Sequence, residues 1–163
     1  MPAEAARKYS FETGVYRPPS EGGSHSLLIR VTRNCPWNKC KFCGLSRGEQ
    51  FSIRPVEHVI RDINQVRYYI DQIEEAMQRP GDADHRQLSS LQVGLSPPEQ
   101  MAFHSALNWL RSGMKSVFLQ DANTLVIKPD DLVAILESLR LVFPQVERVT
   151  SYARSHSIAR ISD

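Results

Sequence analysis

No cysteine lies outside residues 35–43 of this 163-residue chain. No run of eighteen apolar residues exists either, which excludes a hydrophobic helical span of a membrane. The opening stretch, MPAEAARKYSFETGVYRPPS, lacks the apolar core of a secretory signal peptide. A cytoplasmic location is therefore expected, where thiols stay reduced and clustered cysteines point to metal or redox chemistry rather than disulfides. Large net charge is missing too. The balance is +2, too small by itself to imply a nucleic-acid partner. No internal repeat at solenoid periods and no low-complexity segment is present.

What remains is the composition of an ordinary globular domain, 41% hydrophobic and 23% charged. The length suits one domain or part of a larger one. Residues 1–24, with Pro18, Pro19, Gly22 and Gly23, read as an extended lead-in without regular structure. Ser26 to Thr32, SLLIRVT, is short, apolar and β-branched at its end, the pattern of a buried strand. The cysteine loop follows at once.

A long helix is expected after Pro55, because Val59, Ile60, Ile63, Val66, Ile70, Ile73 and Met77 recur at spacings of three and four. Pro80-Gly81 closes it. A second helix opens at Ser96-Pro97-Pro98-Glu99, a capping-box pattern with proline in the first turn, and Gly113 stands where a C-cap glycine belongs. Ser116 to Gln120 is a second buried strand, and Asp121-Ala122-Asn123 a polar turn. A helix over about 129–142, a strand over 147–152 and a further helix from Ser155 complete the order. Strands alternating with helices argue for parallel strands joined by right-handed crossovers. Three strands are too few to close on themselves. Residues 25–163 are accordingly expected to be the front part of a longer α/β barrel or sheet.

Within NCPWNKCKFCG, residues 34–44, three readings of the thiols compete. Unconnected core cysteines are the blandest, but three in nine positions make coincidence a poor account. Structural zinc usually takes four protein ligands, so a histidine would have to join. His25, His58, His85, His104 and His156 are available, none at a short spacing from the loop. An iron–sulfur cluster is the third reading. The C-x4-C-x2-C spacing is shared with plant-type two-iron ferredoxins, which need a fourth cysteine that residues 44–163 do not contain. A [4Fe–4S] cubane tied to Cys35, Cys40 and Cys43 survives, with one iron open to an exchangeable ligand. The basic residues of this region, Arg30, Arg33, Lys39, Lys41, Arg47 and Arg54 against Glu49, read first as a solvated loop. Two other readings are a phosphate-binding surface and charge that offsets an anionic ligand held by the cysteines.

Taken together, the strand SLLIRVTRN, the loop CPWNKCKFCG and the β/α alternation resemble the radical S-adenosylmethionine (SAM) superfamily over roughly residues 11–163. The commonest superfamily motif is C-x3-C-x2-C, one residue shorter than the spacing here, and Trp37 is expected to pack over the lengthened loop. The resemblance implies a partial (β/α) barrel of the TIM type. It implies a [4Fe–4S] cluster on Cys35, Cys40 and Cys43 whose fourth iron chelates SAM. Reductive cleavage then yields methionine and a 5′-deoxyadenosyl radical that abstracts hydrogen from a substrate. Phe42 matches the aromatic position beside the adenine. Asp121, Ala122 and Asn123 stand where the family binds the methionyl amine, without its usual glycines. Ser151 and Arg154 lie near the same ligand position. A flavodoxin or ferredoxin is the implied electron donor; a membrane partner is not, and nucleic acid is not favoured. A non-catalytic iron–sulfur carrier and a zinc-stabilised interaction domain are the alternatives to an enzyme.

Overall fold

A computed structural model describes residues 8–18, 25–78 and 84–159 of the chain, the side chains of residues 84–86 excepted. Three parallel strands form one open sheet: β1 (Ser26–Arg30), β4 (Ser116–Gln120) and β5 (Arg148–Ser151), in the order β1-β4-β5. Leu27, Val117 and Val149 share one register position; Ile29, Leu119 and Ser151 share another. Side chains alternate across a strand, so these positions face one side of the sheet.

Three helices cover that side. They are α1 (Val56–Met77), α3 (Pro97–Arg111) and α4 (Pro129–Val142); α2 (Asp84–Ser90) packs on α1, and α5 (Ser155–Ile158), with no buried residue, follows β5. Helix α1 presents Val59, Ile63, Val66, Ile70 and Ile73, all fully buried, to α3, α4 and β1. Each such side chain stabilises the fold by roughly 1.5–3 kcal/mol through loss of apolar surface from water. Phe103 and Ala106 of α3 and Ile135 and Leu139 of α4 join the same core as Leu27, Ile29, Val117 and Leu119. Trp109 lies edge-on to Phe143 at 4.8 Å, and its indole N–H donates to the Ser116 carbonyl at 2.8 Å. The large aromatic therefore brings its polar atom inside already partnered.

Helix α3 begins as its sequence requires. The Glu99 carboxylate accepts from the Ser96 backbone N–H at 2.8 Å and from the Ser96 hydroxyl at 2.5 Å, with Pro97 and Pro98 in the first turn. Gly113 adopts φ +82° past its end, a left-handed conformation that glycine reaches without strain.

Three features differ from the sequence expectation. The first strand breaks at Val31. Thr32–Arg33 (β2) leave the parallel sheet and pair antiparallel with Ser52–Ile53 (β3), in the register Thr32↔Ile53 and Arg33↔Ser52. This ladder closes the base of the cysteine loop. Second, a seven-residue helix, α2, stands in the stretch before Ser96; Pro80-Gly81 lies outside the described residues. Third, residues 8–18 form no helix or strand, as expected of a lead-in, yet Phe11 and Tyr16 are buried. Of the last helix, Ser155–Ile158 is formed, and residues 160–163 lie outside the described part.

The lead-in behaves as a strap over the sheet face that the helices leave open. Gln120 and Phe118 alternate with Leu119, point to that face and are buried. The Gln120 amide treats the strap as a neighbouring strand would. Its Oε1 accepts from the Gly14 N–H at 2.8 Å, and its Nε2 donates to the Gly14 carbonyl at 3.2 Å and to the Tyr16 carbonyl. Phe118 meets Tyr152 edge-on at 5.2 Å, and the Tyr152 hydroxyl donates to the Arg17 carbonyl at 2.9 Å.

Candidate metal centre

Parallel strands place their C-terminal ends side by side, and ligand sites of such sheets gather there. Here β1 leads through β2 into the cysteine loop, β4 into Asp121-Ala122-Asn123, and β5 into Tyr152 and Arg154. The three segments touch. The Arg154 guanidinium lies 4.2 Å from the centre of the Trp37 ring, and the Asn123 Oδ1 accepts from the Arg154 N–H at 3.4 Å. Trp37 thus packs against the β5 segment rather than only over its own loop.

Cys35, Cys40 and Cys43 are free thiols, all partly exposed. The Asn38 N–H points to the Cys35 sulfur at 3.4 Å. Asn34 and Asn38 take left-handed conformations, φ 65° and 46°, which asparagine tolerates better than other residues with a Cβ. Their side chains fasten the loop internally: Asn34 Nδ2 donates to the Gln50 carbonyl at 2.8 Å, and Asn38 Nδ2 to the Ser46 carbonyl. As they stand, no three His, Cys, Asp or Glu side chains among the described residues are gathered closely enough to hold a metal ion. The donor set nevertheless suits a thiolate-bound group: three thiols on one loop, free of disulfides, beside the C-terminal ends of the parallel strands. A group that bound all three would have to draw them together, as where metal binding is coupled to folding.

Among the described residues no histidine forms a metal-holding group with the thiols. His25 sits before β1, at the strand end away from the loop; His58 lies edge-on to Tyr9 at 5.6 Å, and His104 edge-on to Phe103 at 5.7 Å. His156 is in α5, and the side chain of His85 lies outside the described residues.

Phe42 is 93% exposed, an aromatic face open to a ligand. Asp121 is fully buried, and its Oδ2 takes three donors: Arg30 Nε at 2.9 Å, Arg30 Nη2 at 2.8 Å and the Asn34 N–H at 2.9 Å. Its Oδ1 has no hydrogen-bond partner among the described residues and faces Gly14. Asn123 is buried, with its Nδ2 donating to Ser157 Oγ at 2.8 Å, so its amide is used at both ends. In this arrangement Asp121 anchors the residue before Cys35, and Asn123 joins the β4 and β5 segments. Ala122 is half-buried between them. Ser151 donates to the Tyr152 carbonyl at 3.0 Å.

The basic stretch divides in two. Arg54 is buried and ion-paired with Asp62 at 2.5 Å and with Glu12 at 3.0 Å, and its Nη1 donates to the Arg30 carbonyl at 2.7 Å. Glu12 also pairs with Arg30 at 3.0 Å and Arg33 at 2.6 Å. One carboxylate of the strap therefore touches three arginines. Burial pushes Glu12 up, but the Arg33 hydrogen bonds and the charges of Arg54, Arg33 and Arg30 outweigh it and hold its pKa below the ordinary value. Asp62 goes the other way: desolvation exceeds the pull of Arg54 and raises it to about 6. Reading the whole stretch as solvated thus fails for Arg30, Arg33 and Arg54. It holds for Lys39, Lys41 and Arg47, which are exposed around the thiols; Lys39 lies 5.6 Å from the Trp37 ring centre.

Two features that sequence reasoning missed complete the site. The Tyr16 and Ser46 hydroxyls share a buried hydrogen bond of 2.6 Å. Burial holds the Tyr16 hydroxyl above its ordinary pKa; the Ser46 bond lowers it, and charge on Cys35, Cys43 and Asp121 raises it further. Gly14 is the second. A Cβ added there falls 1.6 Å from Asp121 Oδ1 and 2.6 Å from its carboxyl carbon. Gly14→Ala is expected to drive Asp121 off Arg30 and Asn34 and to cost about 1–3 kcal/mol. Urea unfolding reads this out, and an unchanged midpoint would show that the strap shifts freely.

No protein family matches the chain, and neither a curated protein nor a solved structure matches it. Among the described residues no helix is long and apolar enough to cross a membrane.

Proposed function

We propose that this chain is the cluster-binding portion of a radical SAM enzyme, with Cys35, Cys40 and Cys43 as ligands of a [4Fe–4S] cluster. The observation that carries the reading is the set of three free thiols on one loop beside the C-terminal ends of parallel strands, with no fourth cysteine in the sequence. A cluster so held supplies an open iron for the amino and carboxylate groups of SAM and an electron to cleave it. The chain's own residues orient and shield: Phe42 offers an aromatic face to the adenine, and the 121–123 turn borders the methionyl end. Arg30 and Asn34 keep the Asp121 carboxylate at that border. Lys39, Lys41 and Arg47 give an acidic electron donor, a flavodoxin or ferredoxin, a positive surface to approach.

A partial (β/α) barrel is part of the same proposal. Among the described residues strand β5 has a neighbour on one side only, and Val149 and the α4 residue Val133 are exposed beside it. A further β/α unit would cover them.

The test is electron paramagnetic resonance on anaerobically reconstituted, dithionite-reduced protein, with and without SAM. A reduced cluster signal that changes on adding SAM is expected. A signal indifferent to SAM would favour a non-catalytic carrier, and bound zinc without iron would favour an interaction domain.

A further inference from the structure

The cysteines are carried between two points that are fixed from outside their loop. Ahead of them the Asn34 N–H is held by Asp121, and the β2–β3 ladder closes the base. Behind them stands Ser46, almost fully buried, in a turn where the Arg47 N–H donates to the Gly44 carbonyl at 3.1 Å and the Glu49 N–H to the Ser46 carbonyl at 3.0 Å. Its hydroxyl is bonded to Tyr16, thirty residues upstream on the strap. The strap is already secured by Phe11, by Glu12 and by the Gln120 amide. The Tyr16 hydroxyl adds little to holding the strap and much to holding the turn.

Resting on the cluster reading above, we propose that Tyr16 is a positioning residue for the cluster: its hydroxyl pins the turn after Cys43 to the strap, so that Cys43 stays within reach of the group Cys35 binds. The physical argument is pre-organisation. A loop fixed at both ends loses less freedom when three thiols close on one group. Asn38 extends the same device, because its amide donates to the Ser46 carbonyl while its N–H points to the Cys35 sulfur. Ser46 is thereby tied to both ends of the cysteine run.

Tyr16→Phe deletes one oxygen and leaves the ring in place, so the fold is retained. Anaerobic apoprotein treated with iodoacetamide, followed cysteine by cysteine by mass spectrometry, should alkylate Cys43 about fivefold faster than wild type, the effect of losing one ordinary hydrogen bond. Reconstituted Tyr16→Phe protein should lose iron to a chelator faster by a similar factor, with a shifted paramagnetic resonance signal. Ser46→Ala should behave alike, and the double variant no worse than either single one, since both remove the same bond. Equal alkylation rates in wild type and Tyr16→Phe, or additive effects in the double variant, overturn the proposal and leave the cluster reading untouched. Faster alkylation with unchanged iron retention overturns it as well. A wild-type chain that takes up no iron sinks the cluster reading, and this proposal with it.

Discussion

Anaerobically reconstituted wild-type protein should carry about four iron atoms per chain, and replacing any one of Cys35, Cys40 and Cys43 by alanine should remove nearly all of them. The sharpness of the loss follows from ligand count. A cubane with three protein thiolates has no protein ligand in reserve, and the chain has no other cysteine to substitute. Among the described residues no histidine is gathered with the thiols either, so His58→Ala and His104→Ala should retain wild-type iron. Iron and zinc contents, measured together by elemental analysis, separate the readings. Zinc in place of iron in the wild type, lost in all three cysteine variants, would mean a structural zinc site. A histidine variant that lost the metal would identify a fourth protein ligand and remove the open coordination position on which SAM binding depends.

The second large effect lies in the strap. Glu12→Ala is expected to cost about 3–5 kcal/mol, the cost of breaking a buried ion pair from one side. Arg54, with no exposed surface on its side chain, would keep only Asp62 as its carboxylate. Arg30 would keep Asp121. Arg33 would keep the Ser52 hydroxyl at 3.2 Å among its partners. Against a total stability of about 5–15 kcal/mol for a domain, such a loss is a large share. Urea unfolding should show the midpoint falling at an unchanged slope. Glu12→Gln, which keeps an acceptor oxygen but not the charge, should fall between wild type and alanine. A glutamine variant as stable as wild type would show that the arginines need a hydrogen-bond acceptor and not a negative charge. A stable alanine variant would show that the network adds nothing to the fold.

Sequence patterning revealed the elements whose rules are local. The Ser96–Glu99 capping box, the helix over 129–142 and the buried strand over 116–120 were legible because each depends on residues within a turn or two. Helix α2 was not, since seven residues containing Asp, His and two Ser give neither a clear period nor high propensity. The β2–β3 ladder pairs only two residues on each side, too few for alternation to show. Arg54 looked like surface because its carboxylates, Asp62 eight positions downstream and Glu12 42 positions upstream, are brought to it only by the fold. The thiols were the clearest signal of all, whereas the Tyr16–Ser46 bond left none: a tyrosine and a serine are common, and only the fold brings them together. The same holds for Gly14, whose need to lack a side chain comes from an aspartate 107 positions later.

The clamp by which Gln120 grips the strap spans 106 positions of chain, and the Tyr152–Arg17 bond spans 135. Contacts between such distant residues form late, because a long stretch must be ordered before they can be made. The strap, made before the strands it crosses, is thus among the last segments to find its place. Until β4 has been synthesised and paired with β1, the strap has no amide to hold it and Asn34 no carboxylate to receive its N–H. The cysteine loop, complete within the first third of the chain, must wait for residues made more than seventy positions later before both of its ends are fixed.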